Sequence, residues 1–283
     1  MINYKKAYTE FIFSNNLKGS NKAASYVKAL DWLSKILEVK PLSFGDCKNI
    51  WSVNSLERLH ELYLFVLQEA RKKEDSIWDL PNIPTSYLKN GYCSAALKTY
   101  QEFLVEFSYE QKLLDALDTK DKDETSIIEN INTDLQYPAY LIDDLDKKQG
   151  EDVIRSVKVR SNQNVFRKKI LEIYNQSCCI TGLNIPEVNR ASHIIPWAED
   201  DKKRLDPSNG LCLSATYDAA FDRNLISLDD DYRIIISKEI TDHYTNESVK
   251  NYFFSKEGEK IKLPSSYLPH KDCLEIHRSK GRF

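Results

Sequence analysis

ASHIIPW, residues 191–197, sets one histidine in a short apolar run that closes on a proline and a tryptophan. Alone, such a histidine reads as a core or edge-strand residue with a satisfied hydrogen bond, so its surroundings must decide whether the ring has a chemical task. Downstream, the loop DDKKRLDPSNG brings Asn209 sixteen residues after His193, and SATYDAAFD (214–222) is helix-compatible, with Ser214 as a candidate cap.

That helix would carry Asp218 and Asp222, four residues apart, so both carboxylates project from one face and can approach a single hard cation. The same pair also reads as two solvated helix acids, whose mutual repulsion is a modest cost. His193 has the right chemistry for a general base, since an imidazole with a pKa near 6.5 accepts a proton from water at neutral pH. Asn209 would fix the ring through its side-chain amide, although Asn-Gly after Pro-Ser is equally an ordinary turn.

Upstream, Arg155, Lys158, Arg160, Arg167, Lys168, Lys169 and Arg190 face only Glu172 and Glu187, a net charge of +5 between residues 155 and 190. Such a run is either a solvated face or the footprint of a polyanion partner. The spacing of Val165, Ile170, Ile173 and Tyr174 predicts a helix over 161–175. CCITG (178–182) and ASHIIPW read as short strands, and NLISLDDDYRIIIS (224–237) as a hairpin around Asp229, Asp230 and Asp231.

The region is similar to the HNH nuclease family, in its restriction-endonuclease-like branch. The resemblance rests on several motifs in order. They are Arg160, Gln163, Phe166 and Arg167 of an R-x-x-Q-x-x-F-R helix; Cys178, Thr181 and Gly182; His193 to Pro196; Asn209, Gly210, Leu211 and Leu213; and Phe221 to Ser227. The closing LEIHRSKGRF resembles the family's H-R-x-x-x-x-F ending, so the likeness runs from Val153 to Phe283. It implies a small ββα-metal fold, with His193 and Asn209 as catalytic residues and Asp218 and Asp222 as metal ligands. Arg160, Arg167, Lys168 and Arg223 become candidate nucleic-acid contacts.

Three positions depart from the family pattern. Asp218 stands where histidine or asparagine is usual, which favours magnesium or manganese over nickel or zinc. Ser192 replaces the acid or histidine that many relatives carry before the catalytic histidine, and is at most an assisting ligand. Asn224 replaces a glycine, a change the turn can absorb because asparagine tolerates left-handed backbone.

The N-terminal part reads as helical. Helices are expected in NKAASYVKALDWLSKIL (21–37), in SLERLHELYLFVLQEARKKE (55–74) and, after the Asn90-Gly91 turn, in CSAALKTYQEFLVEF (93–107). His60, within the second, reads as a helix surface or packing residue. YLKNGYCSAALKTYQEFL (87–104) resembles segments that accompany HNH domains in restriction enzymes, which leaves target recognition, dimerisation or a scaffold role open. From Asp118 to Asp152 the chain is acid-rich and apolar-poor, as an exposed linker is. The expected organisation is therefore α+β: a helical domain at 1–116, an acidic linker at 117–152 and an HNH nuclease domain at 153–283.

Composition narrows the setting. The 283 residues carry a formal net charge of −3, so any nucleic-acid partner must be met by a local patch. No apolar run is long enough for a membrane span, and the N-terminus lacks the features of a secretory signal, so the cytoplasm and no membrane partner are expected. Six scattered cysteines without a C-x-x-C pair argue for reduced thiols and against a zinc knuckle.

The resemblance implies a DNA endonuclease that uses a divalent metal, magnesium or manganese, and leaves 5′-phosphate and 3′-hydroxyl ends in a bacterial restriction or phage-defence role. One site cuts one strand, so a double-strand break requires a homodimer or sequential nicking. Two alternatives stay open: a homing or toxin-type nuclease, and a degenerate HNH domain that binds DNA without cutting it.

Overall fold

In the computed structural model of the chain, residues 2–16, 21–81, 83–118, 135, 137–142 and 147–283 are described. They fall into two units, Met1–Ser108 with Gln136–Gly150, and Tyr109–Leu135 with Glu151–Phe283. Most of the acidic linker expected at 117–152 lies outside the described residues.

The first unit is helical. Its elements are α1 (Tyr4–Ser14), α2 (Lys22–Val39), α3 (Leu56–Lys72), α4 (Ser86–Lys89) and the part of α5 (Tyr92–Asp118) that ends at Ser108. In α3 the periodicity works as the sequence implies: Leu59, Leu62 and Val66 are buried along one face, and the Ser55 hydroxyl caps the first turn by accepting from the Arg58 amide at 3.3 Å. Glu69 continues that buried face as a charge, satisfied by Lys72 Nζ at 2.6 Å, Ser76 Oγ at 2.8 Å and the Ile77 amide at 3.0 Å. Truncating a fully buried member such as Leu62 to alanine should cost about 2–5 kcal/mol. The first helix, α1, lies outside the three segments that hydrophobic spacing marks; Asn3 caps it and only Tyr8 and Ile12 are buried from it. His60 stacks on Tyr140 at 3.9 Å, a packing role.

The second unit is α+β. The long helix α6 (Lys147–Ile173) begins well before the expected start at 161. Between 151 and 160 only Val157 is buried, so the early turns show no apolar period, whereas Val165, Phe166, Ile170 and Ile173 form a buried stripe that also takes in Ser161, Asn162 and Lys169. Lys169 is compensated by Asp118 at 2.6 Å and Glu172 at 3.4 Å.

Strand β1 (Asn189–His193) pairs antiparallel with β2 (Gly210–Ser214), in a register that sets Asn189 against Ser214 and His193 against Gly210. Helix α7 (Ala215–Phe221) follows β2 directly, completing a ββα unit. The expected hairpin is present as β3 (Ile226–Leu228) and β4 (Ile234–Ile236), also antiparallel. Short helices α8 (Lys238–Thr241) and α9 (Glu247–Tyr252) and the terminal α10 (Lys271–Ser279) complete the unit. The hydrophobic core lies between α6, the two hairpins and α7, with Phe166, Ile170, Leu211, Leu213, Tyr217 and Phe221 buried.

CCITG is a turn, not a strand: the Cys178 amide donates to the Leu183 carbonyl, Gly182 donates back to Cys178, and Gly182 adopts φ +73°. The apolar character of Cys178 and Cys179 reflects burial in the core, not strand pairing. All six cysteines are free and buried. Among the described residues no helix is long and apolar enough to cross a membrane.

Candidate active site

Glycine at position 210 is the first requirement of the site. It faces His193 across the β1–β2 ladder, and a Cβ there would lie 2.7 Å from Cζ of Phe166. Ile170 and Phe166 together fill the space that a side chain at 210 would need, and the Phe166 ring stacks under His193 with centroids 3.7 Å apart and planes 11° apart. Trp197 closes a second side of the imidazole edge-on, at 5.5 Å.

His193 ends β1 with its Nε2 3.0 Å from the carbonyl oxygen of Arg204. A carbonyl can only accept, so Nε2 holds the proton and the neutral ring keeps its lone pair on Nδ1, which has no protein partner among the described residues. Burial disfavours the imidazolium and pulls the pKa below the usual 6.5, and the Arg204 carbonyl opposes this only in part. At neutral pH the ring is a free base.

Asn209 is buried, and its partners differ from the expected one. Its Oδ1 accepts from the Ile195 amide at 2.8 Å, while Nδ2 donates to the carbonyls of Ile195 at 3.1 Å and Lys203 at 3.2 Å. The amide therefore bridges the long connection between β1 and β2 and does not touch the His193 ring. The ring's partner is main chain from that same connection.

Asp218 lies within α7 and Asp222 caps its end, with the Asp222 amide donating to the Asp218 carbonyl at 2.9 Å. Both carboxylates line the cleft that His193 lines, a depression of about 650 Å³. Burial and then the neighbouring Asp218 charge push the Asp222 carboxyl above the ordinary range, with Arg223 opposing. Ser192 donates its hydroxyl to Asp218 Oδ1 at 2.6 Å, which orients that carboxylate. An oxygen-only pair that repels itself fits a hard divalent cation. Among the described residues, however, no three His, Cys, Asp or Glu side chains converge as a metal-binding group.

The four basic candidates separate. Arg167 lines the cleft, but its two terminal nitrogens donate to the carbonyls of Asn189 and Pro186, each at 2.7 Å, bracing the entry to β1. Lys168 pairs with Glu110 at 2.6 Å. Arg223 donates to the Ala219 carbonyl at 2.9 Å, and neither it, Lys168 nor Arg160 lines the cleft.

Hydrophobic spacing does not reveal His277, although the closing motif contains it. It is buried in α10, stacked on Phe221 at 3.8 Å; Nε2 donates to the Phe221 carbonyl at 3.0 Å and Nδ1 accepts from Ser227 at 2.9 Å. Burial drives its pKa down to about 4. The residue thus clamps the end of α7, one position before Asp222. Asn224 takes φ +53°, the left-handed conformation that asparagine tolerates.

Residues 178–229 match the family model HNH_2, described as HNH endonuclease. This segment is of the HNH family. The HNH segment contains His193, Asn209, Asp218 and Asp222, together with β1, β2, α7 and β3. Phe166, stacked on His193, and His277, stacked on Phe221, lie outside it. No curated protein matches the chain.

Proposed function

We propose that the chain is a cation-dependent DNA endonuclease that hydrolyses phosphodiester bonds to 5′-phosphate and 3′-hydroxyl ends, in a bacterial restriction or phage-defence setting. The observation that carries this reading is the His193 ring, neutral and protonated on Nε2, sharing one cleft with two aspartates. A phosphodiester repels nucleophiles by its own charge, so hydrolysis needs an activated water, and Nδ1 of His193 is the group to take its proton.

Asp218 and Asp222 are the oxygen ligands for the cation, magnesium or manganese, with water completing the shell. When bound, a divalent ion there offsets the charge that develops on the leaving 3′ oxygen. Ser192 orients Asp218, Asn209 holds the β1–β2 connection in shape, and Phe166 keeps the base flat and desolvated. Arg160, Lys168 and Arg223 lie outside the cleft and are contacts for the flanking duplex, with Arg167 at the cleft wall. The restriction setting is supported by motifs beyond the matched segment, the R-x-x-Q-x-x-F-R helix and the H-R-x-x-x-x-F ending.

Supercoiled plasmid with magnesium or manganese tests the reading. Nicking that stops with chelator and in His193→Ala is expected, with ends that a ligase reseals. A second reading, duplex binding without hydrolysis, is favoured by the lack of a three-residue metal group among the described residues. Binding retained with no cleavage in either metal would decide for it.

A further inference from the structure

Among the described residues, three basic side chains other than histidine line the cleft: Arg167, Arg190 and Lys280. Arg167 is engaged by two main-chain carbonyls. The Arg190 side chain, exposed on β1, has no hydrogen bond or ion pair among the described residues. Lys280, just past α10, donates to Glu199, and both lie on the cleft wall.

The acidic side chains of the cleft are also three: Asp218, Asp222 and Glu199. The first two sit one helical turn apart and suit a cation. Glu199 has no such role, since it belongs to the Pro196–Glu199 turn beyond Trp197, and a lone carboxylate there opposes the entry of a phosphate. Its contact with Lys280 spans from the β1–β2 connection to the C-terminal segment.

We propose that Lys280 is a substrate-phosphate ligand of this cleft, and that in the free protein Glu199 occupies the position on Lys280 that a non-bridging phosphate oxygen takes over. The inference rests on the reading of the cleft as a nucleic-acid site. The side chains are 32% and 48% exposed, so the pair is hydrated and weak, and a polyanion can displace it at little cost. Arg190 needs no such exchange and is available from the start.

Binding of a short fluorescein-labelled DNA duplex, followed by anisotropy over a salt series, tests this with the full chain. Glu199→Gln should tighten binding about two- to fivefold at low salt. Lys280→Gln should weaken it about three- to tenfold and lower the salt slope by about one unit. The decisive variant carries both changes: exchange at Lys280 requires the gain from Glu199→Gln to vanish when Lys280 is absent. A gain that persists in the double variant is general repulsion and overturns the proposal. So do unchanged affinities in both single variants, or failure of wild type and Glu199→Gln alike to bind at low salt. Plasmid nicking is scored separately, so a wild type that binds without cutting counts against hydrolysis and leaves the exchange decided by the binding data.

Discussion

The phenyl ring of Phe166 lies flat against the imidazole of His193, centroids 3.7 Å apart. One residue comes from a long helix and the other from the last position of a strand, so the electrostatics of the candidate base depend on helix-to-hairpin packing. Replacing Phe166 with leucine thins that cover, and the His193 pKa should rise toward its ordinary value. The neutral ring is the competent form, so activity falls as pH drops through that pKa, and the variant should lose activity at a higher pH than wild type. Plasmid nicking across pH 5–8 checks this; a slower variant with an unmoved acid limb would show that the stack affects only packing.

Asn209 should behave as a brace. Asn209→Ala removes three hydrogen bonds and leaves the buried Ile195 amide unsatisfied, an expected loss of about 2–4 kcal/mol with nicking abolished. Asn209→Asp keeps the acceptor but loses both donors and should fall between. Urea unfolding ranks the three proteins, and equal stabilities would refute the bracing role.

The aspartate pair makes a prediction about acid. Asp222 titrates above the usual carboxylate range because of burial and the Asp218 charge. Protons should therefore compete with manganese at a higher pH than at an isolated aspartate. Asp218→Asn removes the neighbouring charge, so Asp222 should titrate lower, while manganese affinity drops at least about tenfold. Carboxyl NMR titration and calorimetry read the two effects independently; an Asp222 carboxyl that does not move would break the link between the acids.

His277 makes the fold sensitive to moderate acid. Its folded pKa is about 4 against an ordinary 6.5, so below pH 6.5 the unfolded chain binds a proton that the folded one does not. Stability should therefore decline from pH 6.5 to pH 4, by about 3 kcal/mol from this group alone. Above pH 7 the group contributes no slope. His277→Gln should be less stable at pH 7 yet flatter across that window, and parallel curves for the two proteins would assign the acid sensitivity elsewhere.

Much of this was legible in the sequence. Helix α3, the β3–β4 hairpin, the ββα order and the cleft residues His193, Asp218 and Asp222 follow from spacing and motif. Helix α1 was not, because it buries only Tyr8 and Ile12, too few for a period to emerge. The first half of α6 was hidden because Val157 is the one buried residue between 151 and 160, too few for a period to emerge. The turn at CCITG read as a strand because buried cysteines look the same whether they pair or merely pack. The true partner of the His193 ring could not be read from residue types at all, since it is a backbone oxygen.

A backbone acceptor constrains how such a site can change over generations. The acceptor that chooses which imidazole nitrogen is protonated is the carbonyl of Arg204, and every residue type has one. A substitution at 204 keeps the oxygen but loses the Arg204 guanidinium that donates to the Trp197 carbonyl at 2.9 Å; an insertion or deletion within 194–203 would carry the oxygen away. The tautomer is thus inherited through the length of a connecting segment and not through any one side chain.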